Sequence, residues 1–196
     1  VIGGSVLIAT NTSGSAVYMH NGSVNLTLAS STFKGGPLGS GMLFGSYGSG
    51  MIALTSNTIT GGSFGVNIGT MTCGTCVGNV SITSLTFSGG LTAGATAIRL
   101  RGGAFTSTFT TVLFNDPNIA VNVSGIALNS ASTITMRGDS GLKTGSSYEK
   151  DFADPNGVID WIIQLPPGCV AGANVSKLGG WQFTAIQPAI DYLKTA

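Results

Sequence analysis

The chain has 196 residues; 42% are hydrophobic and 31 are glycine, which allows a core cut by many turns. Its formal net charge of +1 hides an uneven distribution, because Lys34 is the only charged side chain from Val1 to Ile98 and no carboxylate precedes Asp116. A basic nucleic-acid footprint is absent, since only Arg99 and Arg101 come close together. A membrane span is excluded too: Gly, Ser, Thr and Asn interrupt the uncharged 35–98 stretch, where a spanning helix needs about 20 mostly apolar residues.

The chain opens at Val1 without Met, which fits a mature product or a fragment of something longer. Short apolar strands are expected at Val6–Ile8 and Ala16–Met19. A nine-residue phrase then returns four times, at Asn25–Phe33, Met51–Ile59, Asn79–Phe87 and Thr106–Phe114, with last residues 26, 28 and 27 positions apart. The first three phrases run into Gly35-Gly36, Gly61-Gly62 and Gly89-Gly90, and the fourth into Asn115-Asp116-Pro117. A fixed period in this range marks a solenoid, in which each repeat lays one coil on the last.

Alignment of the phrases exposes two apolar ladders: Leu28, Leu54, Ile82 and Phe109, and then Phe33, Ile59, Phe87 and Phe114. Leu26, Ile52 and Val80 precede the first ladder by two residues, and this third series breaks at Ser107. Two-residue spacing places side chains on one face of a strand. The step from 28 to 33 is odd, so one flat strand cannot point both inward and a bend must intervene. Second strands are expected after each corner at Met42–Phe44, Val66–Ile68, Ile98–Leu100 and Val121–Val123, and a later coil starts at Ile134–Met136. An antiparallel sandwich also has short, evenly spaced strands, but it does not need like residues at a 27-residue period.

The pattern N-x-x-I-x-x-x-x-F-x-G-G, complete at Asn79–Gly90, resembles the repeats of right-handed parallel β-helices of the pectin-lyase-like superfamily, over about Ser5 to Gly138. The expected fold is all-β: a right-handed parallel β-helix of about five coils in residues 1–138, followed by an irregular cap or assembly segment in 139–196. Within that segment a buried strand is expected at Val158–Leu165 and a short helix at Ile186–Leu193. The superfamily includes polysaccharide lyases and hydrolases, phage tailspikes and surface adhesins.

Enzymes resembling this fold use clustered carboxylates, or Lys and Arg bases, on adjacent coils, and glycoside cleavage by acid–base chemistry needs two carboxyl groups. The first 115 residues hold none, Arg99 and Arg101 lack acidic companions, and His20 has no acidic neighbour. No catalytic residue, cofactor or metal is therefore expected. Arg137-Gly138-Asp139 resembles the integrin-recognition tripeptide, against the reading of an ordinary turn. Asp151–Asp160 has part of a calcium loop's pattern but lacks its closing Glu, and Asp154-Pro-Asn-Gly157 is a favourable turn.

Three cysteines leave an odd count: Cys73 and Cys76 suit a local disulfide, leaving Cys169 free or bridging to another chain. Sequons stand at Asn11, Asn21, Asn25, Asn79, Asn122 and Asn174. With the low charge they point to a glycosylated protein outside the cell or at its surface. Thr32, Thr58 and Thr86 would stack as an outward file, read either as strand propensity on a solvated face or as a water-ordering array. The N-terminal coil has no guard on its edge, so self-association into a fibre is expected, with glycans or cell-surface receptors as further partners. The expected role is a non-catalytic building block of a filament, sheath or adhesin. A carbohydrate-binding or carbohydrate-cleaving tailspike-like β-helix is the alternative, and an ice-binding protein the third reading.

Overall fold

The computed structural model describes residues 2–20, 22–23, 25–45, 47–69, 77–129, 132–137, 152–153 and 160–163. The strands are β1 (Ile2–Gly3), β2 (Val6–Ile8), β3 (Val17–Met19), β4 (Gly22–Ser23), β5 (Leu26–Ala29), β6 (Thr32–Lys34), β7 (Ser40–Phe44) and β8 (Tyr47–Ser49). Longer ones follow: β9 (Met51–Gly69), β10 (Val77–Phe87), β11 (Leu91–Phe114), β12 (Ile119–Leu128) and β13 (Thr133–Arg137), then the short β14 (Phe152–Ala153) and β15 (Asp160–Ile163). Every pairing is parallel. The described residues contain no helix, and the helix expected at Ile186–Leu193 lies outside them.

The chain is an all-β parallel solenoid of about four turns. Each repeated phrase lies on one sheet, and the strand after the corner lies on a second. β9 crosses from the first sheet to the second within one coil, while β11 begins on the second and ends on the first. Like residues sit on like: Leu28 pairs with Leu54, Leu54 with Ile82, Ile82 with Phe109, and Phe109 with Met136. In the second ladder Phe33 pairs with Ile59, Ile59 with Phe87, and Phe87 with Phe114. Phe114 is 3% exposed and the other seven of the eight ladder residues have no exposure. The Phe87 and Phe114 rings stack 5.5 Å apart at 4°, and each buried rung contributes roughly 1.5–3 kcal/mol.

The odd step between the ladders is taken by one residue per coil in the left-handed region: Ser30 (φ 49°), Ser56 (53°), Ser84 (57°) and Thr111 (54°). That single residue turns the strand, so that both flanking apolar series point inward. The glycine corners that follow use backbone open only to glycine, with φ of 120° at Gly62 and 97° at Gly90. The fourth corner takes another route. Asp116 is fully buried; its Oδ2 accepts from the Leu91 N–H at 2.8 Å and its Oδ1 from the Asn118 N–H at 2.9 Å. Asn118 Nδ2 donates back to the Leu91 carbonyl at 2.8 Å, tying this corner to the coil before it.

The turn count corrects the expected five or so coils to about four. The fully buried core begins at Leu28 and ends at Ile134, while Leu7, Val17 and Met19 of the first coil are only partly buried. An end coil has a neighbour on one side and cannot close its interior. The strand expected at Val158–Leu165 appears as β15, which pairs with Thr133–Met136. Parallel pairing therefore continues beyond residue 138.

Candidate functional site

Few of the residues singled out in the sequence come together. Cys73 and Cys76 lie outside the described residues, as do Cys169, Asn21, Asn174, Gly138 and Asp139. Arg137 ends β13, opposite Thr110. Asn79 lies on β10 between Met51 and Thr106. Asn11 and Asn25 are exposed, and Asn25 Oδ1 accepts from the Met51 N–H at 3.0 Å.

Asn122 is a correction. It is 1% exposed, and neither amide atom has a hydrogen-bond partner, so the folded chain does not present it to a glycan. By register it continues the inward column Gly41, Gly65, Ala97.

The outer face of the first sheet is lined with hydroxyls. Thr32, Thr58 and Thr86 stack in register, and the file ends on Leu113. Beside it run Thr27, Ala53, Ser81, Thr108 and Thr135, and then Ala29, Thr55, Thr83 and Thr110. Adjacent rungs repeat at about 4.8 Å, so the face is regular, and none of the residues in these three files is charged. His20 is exposed, 6.0 Å from the Tyr18 ring.

The outer face of the second sheet carries the one concentration of charge among the described residues. On β11, Ile98 and Leu100 point into the core with no exposure, so Arg99 and Arg101 alternate to the outside. Arg99 lies back over the preceding coil: its Cζ sits 3.4 Å from the centre of the Phe64 ring, and its Nε donates to Asn67 Oδ1 at 3.1 Å. Asn67 is the register partner of Arg99 and Ser124 its partner on the other side, at 4% and 8% exposure. A polar row thus crosses three coils, with the guanidinium fixed in the middle.

The electrostatics are unbalanced. Burial lowers the Arg99 pKa to about 10, and the Arg101 charge pushes the same way. Arg101 Nε is buried without a hydrogen-bond partner. Asp116, the one carboxylate whose side chain is described, is committed to backbone N–H groups at its corner. No family model, curated protein or solved structure matches this chain.

The sequence shows Arg99 and Arg101 as a pair but not what holds them. Phe64 and Asn67 lie more than thirty positions earlier in the chain, and only the coil register brings them under Arg99. The period itself was the available signal, since it sets residues about 27–32 apart on neighbouring rungs. No group of three or more His, Cys, Asp or Glu that could hold a metal occurs among the described residues. No helix among them is long and apolar enough to cross a membrane.

Proposed function

We propose that this chain is a non-catalytic structural solenoid acting outside the cell, a building block of a filament, sheath or surface adhesin that assembles through its coil ends. The observation that carries this reading is the one-sided pairing of the first described coil. β1, β2 and β3 each pair on one side only, with β5, β6 and β7, among the described residues. Val6, Ile8 and Tyr18 of that coil are 71%, 58% and 61% exposed. An open parallel edge is a template for another strand unless charge, proline or a bulge blunts it, and no charged residue precedes Lys34.

The coil repeat also supports kinship with the pectin-lyase-like superfamily, on the non-enzymatic side of it. Acid–base cleavage of a glycan needs a second carboxyl group facing the first, and Asp116 is buried and occupied. The exposed sequons at Asn11 and Asn25 suit a glycosylated surface protein.

Electron microscopy and sedimentation of the purified chain test the assembly. Particles should lengthen along one axis as concentration rises, and strictly monomeric behaviour at high concentration contradicts the proposal. Degradation of a glycan by the pure chain would instead favour the tailspike-like reading.

A further inference from the structure

The arginine pair has donors to spare. A guanidinium carries five N–H groups in a planar fork. Arg99 spends one of them, the Nε donor, on Asn67. Stacking on Phe64 fixes the plane of the group without using its remaining donors. Arg101 follows two residues later on the same face, about 6.6 Å along the strand, and its own Nε is buried with no acceptor. Two like charges, one half-desolvated and each lacking a carboxylate among the described residues, disfavour each other. Such an arrangement is costly for the empty protein and is relieved by a bound anion.

We propose that Arg99 and Arg101 form an oxyanion-binding site on the outer face of the second sheet. Its ligand presents two anionic oxygens at fork spacing, as a carboxylate or a sulfate group does. Arg99 is the positioned member: Phe64 and Asn67, both on the preceding coil, hold its plane before the ligand arrives. Less side-chain freedom is then lost on binding, which is the advantage of preorganisation. Arg101 supplies the second charge. Charge-assisted bidentate bonds of this kind are the strong ones, and they distinguish Arg from Lys. Position also separates this site from the coil ends, because it lies midway along the stack and does not depend on assembly.

Equilibrium dialysis of the full chain against radiolabelled sulfate or acetate, at ionic strength held constant with chloride, tests the site. It reads the same whether the chain is monomeric or assembled, so failure of the filament reading does not decide the result. Saturable uptake of one anion per chain is expected, weakened at least about tenfold in Arg101→Gln and in Arg99→Gln. Arg101→Lys keeps the charge without the fork and should also weaken binding, which separates bidentate recognition from net charge. Uptake of only one of the two anions upholds the site and names the ligand's group. Absence of saturable uptake of either anion overturns the proposal. So does uptake in which all three variants match the parent. If Arg99→Gln fails to fold, the two Arg101 variants decide, since that side chain anchors none of its neighbours by a hydrogen bond.

Discussion

Asn57 and Ser107 are both buried polar residues of the first sheet, and they have opposite consequences. Asn57 shares a column with Leu85 and Val112. Its Nδ2 donates to the Leu28 carbonyl at 2.8 Å, and its Oδ1 accepts from the Ser31 N–H at 3.1 Å. These two bonds tie Asn57 to the preceding coil on either side of its left-handed bend. Ser107 stands among Val80 and Ile134, 1% exposed, and its hydroxyl has no partner. Asn57→Ala should therefore lower stability by about 2 kcal/mol or more, because it removes two buried hydrogen bonds to the backbone. Ser107→Ala should raise stability by about 1 kcal/mol, because it removes one stranded group. Urea unfolding at constant slope measures both, and a reversed order would show that these side chains do not face the interior as described.

At the scale of strands, the two sheets fit each other through one small position. A Cβ on Gly65 would run into the Phe87 ring and the Ala97 carbonyl. The equivalent position is Gly41 in the coil before and Ala97 in the coil after. Gly65→Ala should cost about 3 kcal/mol by overpacking. Pairing it with Phe87→Leu should cost clearly less than the sum of the two single changes, since the contact is shared. Strict additivity in thermal or urea unfolding would mean that glycine and ring do not meet.

This contact also lies beyond what the sequence pattern shows. The ladders were legible, because a period of about 27 stacks Leu28, Leu54, Ile82 and Phe109 and a two-residue alternation assigns their face. The need for a bend was legible in the odd step; its left-handed serines and threonine were not. The second sheet breaks alternation, with Gly65 and Val66, Ala97 and Ile98, and Asn122 and Val123 buried in consecutive pairs. That break is why Asn122 read as an outward sequon. The contact of Gly65 with Phe87 crosses between the two sheets, and no local pattern announces it. The arginine pair was visible as charge, but its Phe64 shelf follows only from the register between coils.

For the molecule as a whole, a stack of parallel coils has interior strands paired on both sides and end strands paired on one. The end coil also leaves its inward residues half covered, as Leu7, Val17 and Met19 are here. Stability of the body and the proposed association at its end are therefore separable by mutation. Val6 and Ile8 point outward from the edge strand and are already 71% and 58% exposed, so charging them removes little buried area. Val6→Lys with Ile8→Lys should leave the unfolding midpoint within about 0.5 kcal/mol of the parent, as for ordinary surface changes. The same pair places two cations along an open edge, and edge lysines oppose strand addition. In sedimentation velocity the parent's weight-average mass should rise with concentration, while the double variant should hold at the monomer mass. A variant that associates as the parent does would move the contact away from this edge, although the coil itself would stand. A variant that loses both association and stability would show that Val6 and Ile8 belong to the folded core, against their exposure.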